Sequence, residues 1–185
     1  MSPTPFQTLV QRRRSIRRFR PDAVDRADVL ACLEAARLAP SAHNAQPWRF
    51  LVVDDPELKA RLSEAAFSGI YRMTKFAAAA PVIIVLLARL DVVAHRLGRA
   101  VQGTSYYLID MGIAGQHLVL QAEELGLGTC WVGWFNVRKA RKVLKVPRKY
   151  KIVALMPFGQ IEKRPSRPLI RKPIEEVAWW NKVED

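Results

Sequence analysis

The sequence predicts an α+β fold in which a small mixed sheet is sandwiched between helices. Four short apolar stretches read as buried strands, and at least four segments carry helical periodicity. The two kinds alternate without the regular βαβ beat of a doubly wound domain. At 185 residues the chain suits one domain with a proper core, so residues 1–185 are expected to form a single unit.

The elements follow in chain order. Asp25 can cap a helix that carries Val29, Leu30, Leu33 and Ala36 on one face and ends before Pro40. Trp48 to Val53 (WRFLVV) reads as a buried strand. Asp55 and Pro56 fit the N-cap and first residue of a short helix bearing Leu58, Leu62 and Ala65. Val82 to Ala88 (VIIVLLA), bounded by Pro81, is a second strand. The segment from Leu90 to Gly103 has weak periodicity and reads as loop.

The longest helix pattern follows, from about Thr104 to Leu125, with an apolar stripe through Tyr107, Leu108, Met111, Leu118, Val119, Ala122 and Leu125. Gly112, Ala114 and Gly115 lie within it. The glycines lower its intrinsic helicity, so close packing of its backbone is expected to compensate. Thr129 to Phe135 (TCWVGWF) reads as a strand, Asn136 as the cap of a basic amphipathic helix ending near Lys145, and Lys151 to Phe158 as the last core strand. The tail, residues 161–185, is rich in Pro, Lys and Arg yet carries Trp179 and Trp180. Exposing both would be costly, so the tail is expected to pack on something, a partner subunit being one option.

Composition narrows the function classes. The net charge of +13 favours anionic partners: nucleic acid, acidic headgroups or phosphorylated small molecules. Cys32 and Cys130 lie far apart in apolar patterns, which fits reduced thiols and a cytoplasmic location. The stretch MSPTPFQTLVQRRR lacks an apolar core of signal-peptide length, and the longest apolar run, Phe76 to Ala88, contains Pro81 and falls short of the ~20 residues needed to cross a bilayer, so a soluble protein is expected.

Three constellations could carry chemistry. Arg12-Arg13-Arg14-Ser15-Ile16-Arg17-Arg18-Phe19 offers guanidinium forks and a hydroxyl to a phosphate, or else forms a solvated basic face. Ser15, Ile16 and Phe19 interrupt the run with groups able to bury, which weakens the second reading. Pro40 to Trp48 (PSAHNAQPW) packs a hydroxyl, an imidazole and two carboxamides between prolines. It is either a rigid binding loop or a turn in which Ser41 and Asn44 satisfy neighbouring backbone. Gly126 to Gly133 (GLGTCWVG) ends a helix at Gly126 and leaves Gly133 free to let a ligand approach the backbone.

Other catalytic hardware is missing. His43, His95 and His117 have no metal-ligand neighbours at useful spacing, and there is no nucleophile elbow or reactive cysteine motif. Asp54-Asp55 and Glu175-Glu176 look like caps or surface. An enzyme built from these residues would rely on a cofactor for its chemistry.

In this order, RRSIRRF (Arg13 to Phe19), PSAHNAQPW and GLGTCWVG closely resemble the marks of the flavin-dependent nitroreductase family. Arg171-Lys172-Pro173-Ile174-Glu175-Glu176 extends the resemblance to the tail. It implies a homodimer built around a long central dimerisation helix, with the tail on the partner subunit and FMN at each interface. Arg13 and Arg171 would hold the phosphate, with Arg14 and Ser15 nearby, and Arg17 would lie at the pyrimidine edge of the ring. Pro40, Ser41, Ala42, Asn44 and Gln46 would approach the flavin from the partner. Lys75 matches a flavin-touching basic position, and backbone N–H groups around Val132 and Gly133 would reach N5 and O4.

The implied activity is reduction of nitroaromatics, quinones or a similar small-molecule acceptor by NADH or NADPH, with ping-pong hydride transfer and no protein general base. The chain departs from the family where many relatives carry a flavin-bonding asparagine: residues 69–75 read GIYRMTK, leaving Arg72 or Thr74 as replacements. Leu90 to Gly103 is short for a substrate lid. Within the family, flavin modification or reductive dehalogenation is an alternative, as is a flavin-binding sensor without turnover. A basic nucleic-acid-binding module is the alternative of another class. Against it, aromatics are not interleaved with the basic clusters.

Overall fold

Helix α1 (Pro5–Arg12), which no apolar pattern announced, starts from a local signal. Thr4 accepts from the Gln7 N–H while the Gln7 side chain accepts from the Thr4 N–H, and Pro5 occupies the first helical position. The computed structural model describes residues 2–89 and 104–183, so the loop and short lid expected over residues 90–103 lie outside the described residues. Helix α2 (Arg26–Arg37) is capped by Asp25, and α3 (Pro56–Ala66) by Asp55 with Pro56 at its start, as the sequence predicts. A 3₁₀ turn spans Ala42–Asn44 and a longer 3₁₀ segment Gly69–Ala79. Helix α4 (Tyr106–Glu124) is the long one, and α5 (Val137–Val143) starts from Asn136, whose side chain accepts from the Lys139 N–H.

Four strands, β1 (Trp48–Val53), β2 (Val82–Arg89), β3 (Leu127–Thr129) and β4 (Tyr150–Gln160), form one sheet in the order β1-β2-β4-β3. All neighbours are antiparallel. Residues 82–88 of β2 are buried, which is why this strand is apolar throughout. Because side chains alternate along a strand, Ile84, Leu86 and Ala88 face α2 and α4, while Ile83, Val85 and Leu87 face α3 and α5. A register shift between Leu86 and Leu87 leaves Val153 as the extra residue of β4. That bulge places Ile152 in the same cluster as Leu155, against simple alternation.

Helix α4 covers one face of the sheet with Met111, Ala114, Leu118 and Ala122, while Leu108 and Leu125 of the predicted stripe are exposed. A Cβ at Gly115 would collide with the Trp131 indole and press on Leu86, so this glycine permits the close approach that the sequence predicts. A Cβ at Gly112 would meet nothing among the described residues.

One expectation needs correction. Thr129 to Phe135 is not a strand: the ladder ends at Thr129, and Val132 makes a single bridge to Leu155. The chain leaves the sheet because the Asn136 N–H donates to Ala66 O (2.9 Å) and the Trp134 indole N–H to Ile70 O (3.2 Å), drawing it across α3. The tail touches its own chain through polar contacts of Glu162 and Arg164, and the partner surface expected for it lies beyond a single chain. No side chain from Glu162 to Val183 is buried, and Trp179 and Trp180 are 46% and 91% exposed. Among the described residues no helix is long and apolar enough to cross a membrane.

Candidate functional site

The arginine segment runs alongside the end of the sheet. Ser15 bridges Thr129 in parallel, and the Ile16 N–H donates to Thr129 O at 2.8 Å. Ile16 is fully buried, its side chain lying where a Cβ on Gly128 would stand, and it clusters with Phe19 and Ala80. Burying an isoleucine contributes roughly 1.5–3 kcal/mol, enough to hold the strand in register. With Ile16 and Phe19 turned in, Arg17 and Arg18 are turned out. The Arg17 guanidinium sits 5.5 Å from the centroid of the Phe76 ring, a cation–π contact that holds its charge.

Other groups share this neighbourhood. Burial raises the Cys130 thiol, and Arg17, the Ser15 hydroxyl and Arg13 oppose that shift. Arg13 itself is half-buried; burial first, then the charges of Arg171 and Arg14, lower it from its ordinary value. The charge of Arg171, from the tail, is thus felt at Arg13 beside that of Arg14, although the two segments lie far apart in the chain. Like charges with restricted hydration favour an anion beside them.

Beside them, Ser15, Arg17 and Arg18 line a cleft with Lys163, Arg164 and Ser166. Lys75 and Arg72 line a different cleft, against α3. Thr74 donates its hydroxyl to the carbonyls of Tyr71 (2.8 Å) and Trp134 (2.9 Å), so it is occupied locally. Gly133 is exposed with open space where a Cβ would stand. The Val132 N–H, by contrast, donates to Leu155 O at 2.9 Å, which removes it from the donors expected to face a ligand.

The Pro40–Trp48 loop lies elsewhere. His43, Asn44 and Gln46 all adopt positive φ, at 50°, 52° and 45°. For residues other than glycine this left-handed region is costly, and such strain persists only where the surroundings enforce it. Here the Gln46 N–H donates to Ser41 Oγ (2.9 Å) and the Gln46 amide to Asn44 Oδ1 (2.8 Å), while the Ala42 N–H donates to Asp110 Oδ1 (3.0 Å). The turn-forming role weighed for Ser41 is therefore real, and Asn44, exposed and held at its amide oxygen, projects from a fixed backbone. Asp110 is 2% exposed, and its Oδ2 lacks a partner among the described residues.

Asp110 lies in the first turns of α4, and Glu123, beside the arginine segment, comes thirteen residues later. At 1.5 Å per residue they stand ~20 Å apart along the axis. One chain therefore holds the polar loop and the arginine cluster at opposite ends of one helix. Asp110 and Glu123 escaped the sequence reading because both look like ordinary helix acids. The hint was that Asp110 adjoins Met111 within the buried stripe.

Comparison with known proteins identifies this architecture. The model of the nitroreductase family matches residues 10–73 and 72–160. The chain belongs to the nitroreductase family. As a member it is an oxidoreductase, and the α+β fold read from the sequence is that of solved nitroreductases. The chain is 34% identical to an NADH dehydrogenase of Thermus thermophilus, over 94% of this chain and 95% of that protein. It is 30% identical to a 5,6-dimethylbenzimidazole synthase of Rhodobacter capsulatus (86% and 85%) and 25% identical to an iodotyrosine deiodinase of Thermotoga neapolitana (91% and 93%). Among solved structures, a nitroreductase family protein of Streptococcus pneumoniae superposes with a TM-score of 0.81 at 26% identity, covering 95% of this chain and all of that one. An FMN-dependent nitroreductase of Clostridium difficile gives 0.74 at 27%, covering 95% and 98%.

Proposed function

We propose that this nitroreductase family member is an FMN-dependent NAD(P)H oxidoreductase that reduces nitroaromatics, quinones or a similar acceptor and works as a homodimer. The observation that carries the reading is the segment Arg13 to Arg17 bridged to Thr129 at the end of the sheet, with the charge of Arg171 felt at Arg13 and the open backbone of Gly133 four residues beyond Thr129. That donor set fits FMN: a cluster of cations for the phosphate, a fixed cation for the ring edge and a small residue for close approach. When bound, FMN supplies two-electron uptake from a nicotinamide and release to an acceptor.

The residues have separable tasks. Arg13, Arg14 and Arg171 hold the phosphate through charge-assisted hydrogen bonds. Arg17, braced on Phe76, places positive charge where negative charge develops at the pyrimidine edge. Gly133 takes the backbone-donor role near N5 that Val132 cannot fill. The polar loop at the other end of α4 reaches a flavin only if a second copy brings it there. An antiparallel, two-fold pairing across α4 would place each loop beside the partner's arginines.

Several features support such a pairing. Among the described residues, Leu108 and Ile109 are exposed on α4 beside the open Gly112, the buried Asp110 Oδ2 is unpartnered, and the tail leaves Trp179 and Trp180 uncovered. Strand β1, at the edge of the sheet, is a second surface the partner's tail could cover.

The test is spectroscopic. Purified protein supplied with FMN should show a bound-flavin spectrum, bleach on mixing with NADH or NADPH, and recolour on adding a nitroaromatic or quinone. Absence of bound flavin under any condition would sink the reading. Bleaching without recolouring by either acceptor would point to deiodination or 5,6-dimethylbenzimidazole synthesis, the activities two relatives are named for, or to modification of the flavin itself, which product analysis with an iodotyrosine or with FMN would identify.

A further inference from the structure

The buried carboxylate of Glu123, near the end of α4, gathers two arginines from distant segments. Arg12 Nε donates to Oε1 at 2.8 Å, and Arg164 donates to both oxygens, at 2.9 and 3.2 Å. Arg12 also donates to the Glu123 carbonyl (2.9 Å), and Arg164 to the Arg12 carbonyl (3.3 Å), which closes the network. Glu123 is 2% exposed, whereas both arginines keep one side in water.

What the network joins gives it meaning. Helix α1 buries no residue, and no side chain from Glu162 to Val183 is buried. Neither segment is held by a core of its own. Yet α1 ends at Arg12 and delivers Arg13 and Arg14, while the tail delivers Arg171. We propose that Glu123 is a positioning residue for the phosphate end of the flavin site, setting α1 and the tail so that Arg13, Arg14 and Arg171 converge on one anion. This inference rests on the flavin reading above.

Charge alone predicts the opposite sign to positioning. Glu123 is a negative group near Arg13, so neutralising it would strengthen anion binding by Coulomb's law. Positioning predicts weaker binding, because two segments without buried side chains lose their common tether. It also predicts that only the phosphate is affected, since Arg17 is placed independently by Ile16 and Phe76.

The experiment titrates flavin-stripped protein with FMN and with riboflavin, which lacks the phosphate, by quenching of flavin fluorescence. The parent should prefer FMN. Glu123→Gln, which keeps shape and removes charge, should weaken FMN about tenfold and leave riboflavin within about twofold. Arg164→Lys keeps the charge but cannot hold both Glu123 oxygens and the Arg12 carbonyl at once, should act in the same direction, and decides the matter if Glu123→Gln does not fold. FMN binding unchanged or tighter in the folded variant would overturn the inference, as would equal weakening of both flavins. A parent that binds neither flavin overturns the flavin reading and this inference together. A parent that binds riboflavin as tightly as FMN leaves flavin binding standing and removes the phosphate site.

Discussion

Asn44 combines an exposed amide with a φ of 52°, so one side chain supports both a contact and a backbone shape. Asn44→Ala should weaken FMN retention, measured by the Kd of the purified protein. Asn44→Gly tolerates the left-handed backbone and separates the two effects: retention by Gly but not Ala would assign the loss to strain. Cys32 offers a pH prediction. Burial pushes its thiol from the ordinary 9.0 up to about 12. A raised thiol pKa means the folded state favours the neutral form, so this contribution is complete below pH 9 and is lost as pH rises toward about 12. Subtracting the pH profile of Cys32→Ala from that of the parent, by denaturant titration, should show stability falling only over that window. At this scale the sequence was readable where polarity alternates locally, as with Ile16 and Phe19 inside an arginine run. It was silent on Glu123, whose partner Arg12 lies 111 residues away.

The elements were legible in proportion to how local their signals are. Asp25, Asp55 and Asn136 cap the helices that the sequence assigns to them, because a cap is settled within one turn. The apolar run from Thr129 to Phe135 misled, since its departure from the sheet depends on Ala66 and Ile70 of other elements. The glycines of α4 show the same division. Sequence treats Gly112 and Gly115 alike as aids to close packing, but only Gly115 lies under Trp131. Gly115→Val should therefore lower the melting temperature, with overpacking costing about 1–3 kcal/mol. Gly112→Leu should leave the isolated fold as stable or slightly more so, helix propensity being better than glycine's. If α4 pairs with a second copy, Gly112→Leu should also shift the protein toward monomer in light scattering. A melting loss equal to that of Gly115→Val would place Gly112 in the core instead.

For the whole molecule, the proposed site needs both ends of α4, and one chain keeps them apart. Light scattering should find two copies per particle, and conditions or variants that separate them should release flavin. A monomer retaining FMN at full affinity would show that the polar loop is dispensable. The net charge of +13 has at least one local explanation, because several cations converge where an anion is expected, while others lie on the exposed surface of α5 and the tail. Any nucleic-acid binding at low ionic strength should fall away steeply with salt, as expected for phosphate contacts alone.

By itself the sequence determined the fold class, most caps and strands, and the family, because these rest on periodicity, capping chemistry and ordered short motifs. Only the tertiary structure decided which α4 glycine is packed, that the Val132 N–H is already engaged, and that Glu123 joins α1 to the tail. Those outcomes depend on burial and on contacts between residues far apart in the chain, and no local pattern records them.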